Sequence, residues 1–284
     1  MKSRPFGATQ RVVPTIGQGT WNFPERGVAV QEAKEALRVG IDLGLVHIDT
    51  AEMYGNGRAE EVIGEVIRGV PREQLFIVSK VLPSNATFDG TLRACDASLL
   101  RLGTDYLDCF LLHWRGAHEL GETMRAMERL IDDGKIRSLG VSNFDVDDLE
   151  AARAYLQSYP IACNQVLYHL GERSVERHVL PYCGAHGIAL VAYSPFGSGD
   201  FPSPRSKGGR VLSAVAERRS VSAHAVALAF LTRIDGTFVI PKAARPAHVR
   251  DNASASQLEL DERDVAEIAA AFPLLSRDGP LATL

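Results

Sequence analysis

Long apolar runs, paired cysteines, an excess of positive charge and a dinucleotide-binding glycine signature are all missing from this chain of 284 residues. Each absence removes a class of function. No stretch approaches the roughly 18 consecutive apolar residues that a membrane helix needs, and the opening Met1-Lys2-Ser3-Arg4-Pro5 runs on without an apolar signal core. Membrane insertion and export are therefore disfavoured. Four cysteines are present, Cys95, Cys109, Cys163 and Cys183, with no C-x-x-C spacing and apolar neighbours. They read as reduced, buried thiols of a cytoplasmic protein. Lys plus Arg is 31 against 35 for Asp plus Glu, so the formal charge is -4 and no basic field is available to hold a phosphate backbone. Nucleic acid is not expected as a partner.

With 45% hydrophobic residues the chain can build a large core, and its apolar pattern alternates in type along its length. Short apolar runs fall at 16–19, 46–50, 75–80, 107–113, 138–142, 161–165, 188–193 and 237–240. Most are continuous, as in Leu75-Phe76-Ile77-Val78, which is how strands covered on both faces of a parallel sheet read. Amphipathic segments separate them. Ala33, Leu37 and Ile41 keep helical spacing, as do Leu120, Met124, Met127 and Ile131 up to the stop at Gly134. Two helices, 210–219 and 222–234, are expected between the seventh and eighth strands. Asp261 reads as the N-cap of an extra C-terminal helix ending at Pro273.

Eight strands each followed by a helix, with no linker or shift in composition, predict one (β/α)8 TIM barrel domain over residues 1–284. A doubly wound sheet is the rival. If it held a dinucleotide it would show G-x-G-x-x-G after the first strand, and Gly17-Gln18-Gly19-Thr20-Trp21-Asn22 fails at the last position. Arg11-Val12-Val13 before Pro14 is expected to add a short N-terminal β-hairpin closing one barrel end, and residues 197–209, rich in Gly, Ser and Pro, a flexible loop.

In such a barrel the C-terminal strand ends share one mouth, where catalysis sits. The second strand ends in Asp49 and is followed by Tyr54, the third ends in Lys80 and the fourth in His113. A lone Asp there is usually a cap and a lone His usually a hydrogen-bonded core residue. A Lys ending an apolar strand needs an anionic partner or a lowered pKa. Together the four make an acid catalyst: Asp49 holds Lys80 charged, Lys80 pulls down the pKa of the Tyr54 phenol, and His113 steers a carbonyl oxygen toward it. That constellation suits carbonyl reduction and requires no metal.

The segment Ile48-Asp49-Thr50-Ala51-Glu52-Met53-Tyr54-Gly55, with Lys80 and His113, resembles the catalytic pattern of the aldo-keto reductases. Further blocks of that family follow in order: Gly140-Val141-Ser142-Asn143-Phe144, Asn164-Gln165-Val166, Tyr193-Ser194-Pro195 and Ile240-Pro241-Lys242. The resemblance extends over nearly the whole chain. It implies a nicotinamide cofactor lying extended across the mouth without a Rossmann domain, beside Gly19 and Thr20. Ser142, Asn143 and Gln165 would hold its carboxamide and Tyr193 would stack on its ring. Ser194, Pro195, Phe196, Gly197 and Ser198 would lie at the pyrophosphate, and Lys242, Ala243, Arg245, His248, Asp251 and Asn252 at the adenosine half. Two positions depart from the family pattern: Ala243 stands where Ser is frequent and His248 where Arg is usual. NADPH is still the expected cofactor, with NADH as the alternative, because Lys242 remains and Arg245 is close in sequence.

Trp21, Phe23 and Trp114 are expected to wall the substrate pocket, favouring small-molecule carbonyls such as aldehydes over charged sugars. Within the family the stretch Leu111-Leu112-His113-Trp114-Arg115-Gly116 and the ending Ala271-Phe272-Pro273 resemble bacterial aldehyde reductases, methylglyoxal reductases among them. That implies broad activity on 2-oxoaldehydes and aromatic aldehydes by a monomer, with residues 274–284 a modest lid. Two other readings compete: a cofactor-sensing regulatory subunit with slow turnover, and a Schiff-base aldolase using Lys80.

Overall fold

A computed structural model of the chain describes residues 1–23, 27–274 and 279–284. The barrel strands are β3 (Gln18–Gly19), β4 (His47–Asp49), β5 (Phe76–Val81), β6 (Cys109–Leu112), β7 (Leu139–Ser142), β8 (Ile161–Leu167), β9 (Ala189–Tyr193) and β10 (Thr237–Val239). They pair in sequence order, all parallel. Bridges from Ile16 to Val239 and from Gly19 to Lys242 join the first strand to the last and close the cylinder. Gly19 is required at this seam, since a Cβ there would stand 2.6 Å from the Ile240 carbonyl oxygen.

Helices α1 (Val28–Asp42), α2 (Arg58–Ile67), α3 (Phe88–Leu102), α4 (Leu120–Asp132), α5 (Val146–Tyr155) and α6 (Val179–Ala185) follow successive strands. After β9 come α7 (Lys207–Arg219) and α8 (Ala223–Leu231), and after β10 come α9 (Pro246–Ser254) and α10 (Glu262–Ala271). Thr87, Asp145, Ser206, Ser222 and Asp261 each accept a backbone N–H three residues on, stopping the chain from extending the helix backward. The Ser206 cap corrects one expectation. Residues 207–209 belong to α7 and not to the loop before it, because the capping hydroxyl satisfies Gly209 N–H despite two adjacent glycines.

The hairpin is present as β1 (Ser3–Pro5) paired antiparallel with β2 (Val12–Pro14). Its turn drives Phe6 into the N-terminal end of the barrel, where the ring packs against His47, Phe76 and Phe238 at centroid distances of 5.7, 4.7 and 5.0 Å. The plug leaves the opposite end as the open one. His47 is fully buried in this aromatic layer with neither ring nitrogen hydrogen-bonded, and burial, helped by the charge of Lys80, pushes its pKa down to about 3. The unfolded chain therefore takes up a proton near pH 6.5 that the folded chain refuses until about pH 3. Stability present above pH 6.5 is lost as the pH falls, at about 1.4 kcal/mol per pH unit from this group alone. His47→Leu is expected to match the wild type at pH 7 and exceed it by about 2 to 3 kcal/mol at pH 4.5 in urea melts.

Candidate active site

Parallel pairing sets β4, β5 and β6 side by side, so residues facing the bore at equal height converge. The Lys80 ammonium lies 2.6 Å from Asp49 Oδ1, 2.8 Å from the Thr50 carbonyl oxygen and 3.1 Å from the Tyr54 hydroxyl. Lys80 is fully buried behind the wall, and Asp49 and Tyr54 are the members of the chain that line the cavity. It stands on a short turn (Tyr54–Gly57) directly after the strand, with its ring edge-on to His113 at 5.7 Å. The remaining Asp49 oxygen, Oδ2, accepts from Gln165 Nε2 at 2.7 Å.

Burial and charge set the protonation of this group. Desolvation pulls Lys80 down, and the Asp49 carboxylate more than restores it, so the ammonium is held above its ordinary pKa. Burial raises the Asp49 carboxyl against the opposing pull of Lys80 and Gln165. His113 is kept neutral, its pKa pushed down to about 2 by burial and by Lys80. Tyr54 reverses the expectation drawn from its neighbour: burial raises the phenol more than the Lys80 charge lowers it. The phenol thus stays protonated, and Lys80 acts by stabilising the phenolate left when the proton is given away.

Tyr54 and His113 open on a cavity of about 170 Å³. One side is formed by Gly19, Thr20, Ser142, Asn143 and Gln165, another by Tyr193, Ser194, Ile240 and Lys242. Asn143 is fixed by four contacts: its N–H donates to the Gln165 carbonyl, its Nδ2 to the His113 carbonyl and the Ser142 hydroxyl, and its Oδ1 accepts from the Tyr193 hydroxyl at 2.9 Å. These contacts hold it at φ +60°. Four strands, β6 to β9, are thereby tied into one rim.

Trp21 and Trp114 form apolar wall and stay 40% and 38% exposed. Phe23 is placed differently from expectation. It is buried in the core and edges a smaller neighbouring recess with Met53 and Arg58, because the turn after β3 points its ring back under the rim. Met53 and Leu284 take places on the main cavity wall that sequence reasoning missed. Met53 adjoins Tyr54 in the same motif, whereas no local signal marks Leu284, whose place depends on the tail folding back. Residues 275–278 of the expected lid lie outside the described residues.

Pro195, Phe196, Gly197, Ser198, Ala243, Arg245, His248, Asp251 and Asn252 do not line this cavity. Phe196 packs edge-on against Phe201 and His224. Gly197 and Ser198 form a tight turn with φ of +75° and +52°. Arg245 and His248 are exposed at the start of α9, Ala243 is half-buried, and Asn252 is buried. Asp251 accepts a hydrogen bond from the Ser222 hydroxyl at 2.7 Å, which spends one of its oxygens on α8.

Comparison with known proteins gives a consistent result. The model of the Aldo/keto reductase family matches residues 15–272. A methylglyoxal reductase of Escherichia coli is 44% identical over 261 residues, covering 92% of each chain. A glyoxal reductase of Bacillus subtilis is 37% identical over 260 residues, 91% of this chain and 88% of its own. The crystal structure of an aldo/keto reductase from Klebsiella pneumoniae in complex with NADP and acetate superposes with a TM-score of 0.92 at 41% identity, covering 100% of this chain and 99% of its own.

Proposed function

The chain belongs to the aldo/keto reductase family, and on that premise we propose that it reduces aldehyde and ketone carbonyls to alcohols with NADPH, using Tyr54 as general acid. The observation that carries this reading is the buried Asp49–Lys80–Tyr54 chain ending at a cavity shared with neutral His113. The methylglyoxal and glyoxal reductases among its relatives support 2-oxoaldehydes as substrates, and the tryptophan wall supports aromatic aldehydes as well.

The residues present fit a dinucleotide phosphate. Ser194, Gly197 and Ser198, all at positive φ, form a turn of small residues able to aim backbone N–H groups at a pyrophosphate. Lys242 and Arg245 have no ion-pair partner among the described residues and flank the N-terminus of α9, which suits a 2'-phosphate. Ser142, Asn143 and Gln165 would hold the carboxamide, and Tyr193 the ring. When bound, the nicotinamide supplies a hydride to the carbonyl carbon. His113 orients the carbonyl oxygen, Tyr54 gives it the hydroxyl proton, and Lys80 holds the phenolate charge until water restores the proton. Trp21, Trp114 and Met53 give the same cavity an apolar wall beside the reacting groups.

Lys80 as a Schiff-base nucleophile is disfavoured, since a fully buried ammonium bound to a carboxylate is neither neutral nor accessible. A purely regulatory role has no support in the intact acid chain. We further propose one reductase domain over residues 1–284, acting as a monomer. Four free, buried thiols support a reducing, cytoplasmic setting. NADPH oxidation with methylglyoxal and benzaldehyde tests the activity, and failure with both overturns it. In the same assay kcat/KM is expected to favour NADPH through Lys242 and Arg245; a preference for NADH of about tenfold, or 1.4 kcal/mol, would refute that part.

A further inference from the structure

The Asp49 carboxylate is held from two sides of the barrel. Lys80 reaches it from the neighbouring strand β5, and Gln165 from β8, four strands away in the ring of eight and so directly across the bore. The amide orientation follows from chemistry. An ionised carboxylate only accepts, so the Gln165 nitrogen must face it and the oxygen must face away. Gln165 Oε1 has no partner among the described residues, and the side chain lines the cavity. We propose that Gln165 is a positioning residue that couples cofactor recognition to the acid: Nε2 locks Asp49 in place for Lys80 and Tyr54, and Asp49 in turn presents Oε1 to the carboxamide of the nicotinamide.

The proposal rests on the NADPH reductase reading and adds to it a reciprocal link between two groups that need never share a ligand atom. Around Asp49 the groups able to titrate are Lys80, Tyr54, His113, Tyr193, Cys109, Cys163 and, one layer below, His47. Lys80 carries the positive charge beside it: burial keeps both histidines neutral and holds the Tyr54 and Tyr193 protons on, and the contact with Cys109 together with burial does the same for Cys163. The second oxygen of Asp49 therefore has no donor to replace Gln165. Losing that donor destabilises the carboxylate and lets it take up a proton at higher pH, which removes the counter-charge of Lys80.

Two readouts test the link. The first is NADPH affinity, followed by cofactor fluorescence for the wild type, Asp49→Asn, Gln165→Leu and the double variant. Asp49→Asn is expected to weaken binding by about threefold or more through the freed amide, and to do so much less in the Gln165→Leu background. Additive effects overturn the proposal. The second is the pH dependence of kcat at saturating NADPH and methylglyoxal. Gln165→Leu should move the acid limb upward by about one to two pH units, as expected for a lost hydrogen bond to a charge. Asn143→Ala, which loses a carboxamide contact together with its bonds to His113, Ser142 and Tyr193 but none to Asp49, should leave that limb in place. Gln165→Glu should behave oppositely, active at low pH while its own acid can donate to Asp49 and failing as it ionises. It also serves if the Leu variant does not fold. Weakened NADPH binding with a wild-type pH profile in both Gln165 variants would make Gln165 a carboxamide holder and nothing more. A wild type that binds NADPH but reduces no carbonyl would instead refute the reductase reading.

Discussion

Replacing Tyr54 by phenylalanine is expected to lower kcat for methylglyoxal by about a thousandfold while leaving NADPH affinity within about threefold. The substitution removes one hydroxyl, and that hydroxyl is the group between Lys80 and the cavity, 3.1 Å from the ammonium. A proton donor missing from the transition state costs turnover without altering ground-state binding. The phenol's raised pKa sharpens the expectation. Because Tyr54 stays protonated across the working range, the loss should be nearly independent of pH below neutrality. Steady-state kinetics beside a fluorescence titration measure both quantities, and turnover kept within about tenfold would refute the role of Tyr54.

Lys80→Met is expected to be the most disruptive single change for both stability and activity. Asp49 would be left buried with its charge uncompensated, at a cost of about 3 to 5 kcal/mol. The linkage has a definite sign. The stranded carboxyl binds its proton more tightly in the folded than in the unfolded chain, so the penalty is full at neutral pH and relieved as the pH falls and Asp49 is protonated. Adding Asp49→Leu removes the stranded charge and should restore most of the stability, as replacement of a buried pair by apolar groups usually does. Activity should remain absent in the double variant, because no cation is left to hold a Tyr54 phenolate. Thermal melts at two pH values with activity assays separate the effects. A Lys80→Met protein as stable as the wild type at pH 7 would show that the buried pair does not carry the charge assigned to it.

The barrel was legible because its strands are nearly continuous apolar runs bounded by glycine and caps, a pattern that depends on local sequence alone. The acid group was legible for a related reason. Asp49, Lys80 and His113 sit at or just past strand ends, and parallel pairing brings such ends together whatever the details of packing. What escaped depends on three-dimensional balance. The direction of the Tyr54 shift is a contest between burial and one nearby charge, and sequence names the charge but not the burial. Phe23 resembles Trp21 in position, yet two residues of turn send its ring into the core. His47 reads as an ordinary strand residue and becomes a pH-sensitive member of the plug only because Phe6 arrives from the hairpin. Leu284 reaches the cavity through a fold-back that leaves no periodic trace.

In direct reduction the hydride comes from the cofactor and the proton from the protein. The most direct test is turnover of methylglyoxal with NADPH carrying deuterium at the transferable C4 position, followed by mass analysis of the alcohol. One carbon-bound deuterium per molecule of product is expected, with one NADPH consumed for each. An alcohol whose new carbon-bound hydrogen comes from solvent, or cofactor that is bound and never oxidised, would contradict direct reduction.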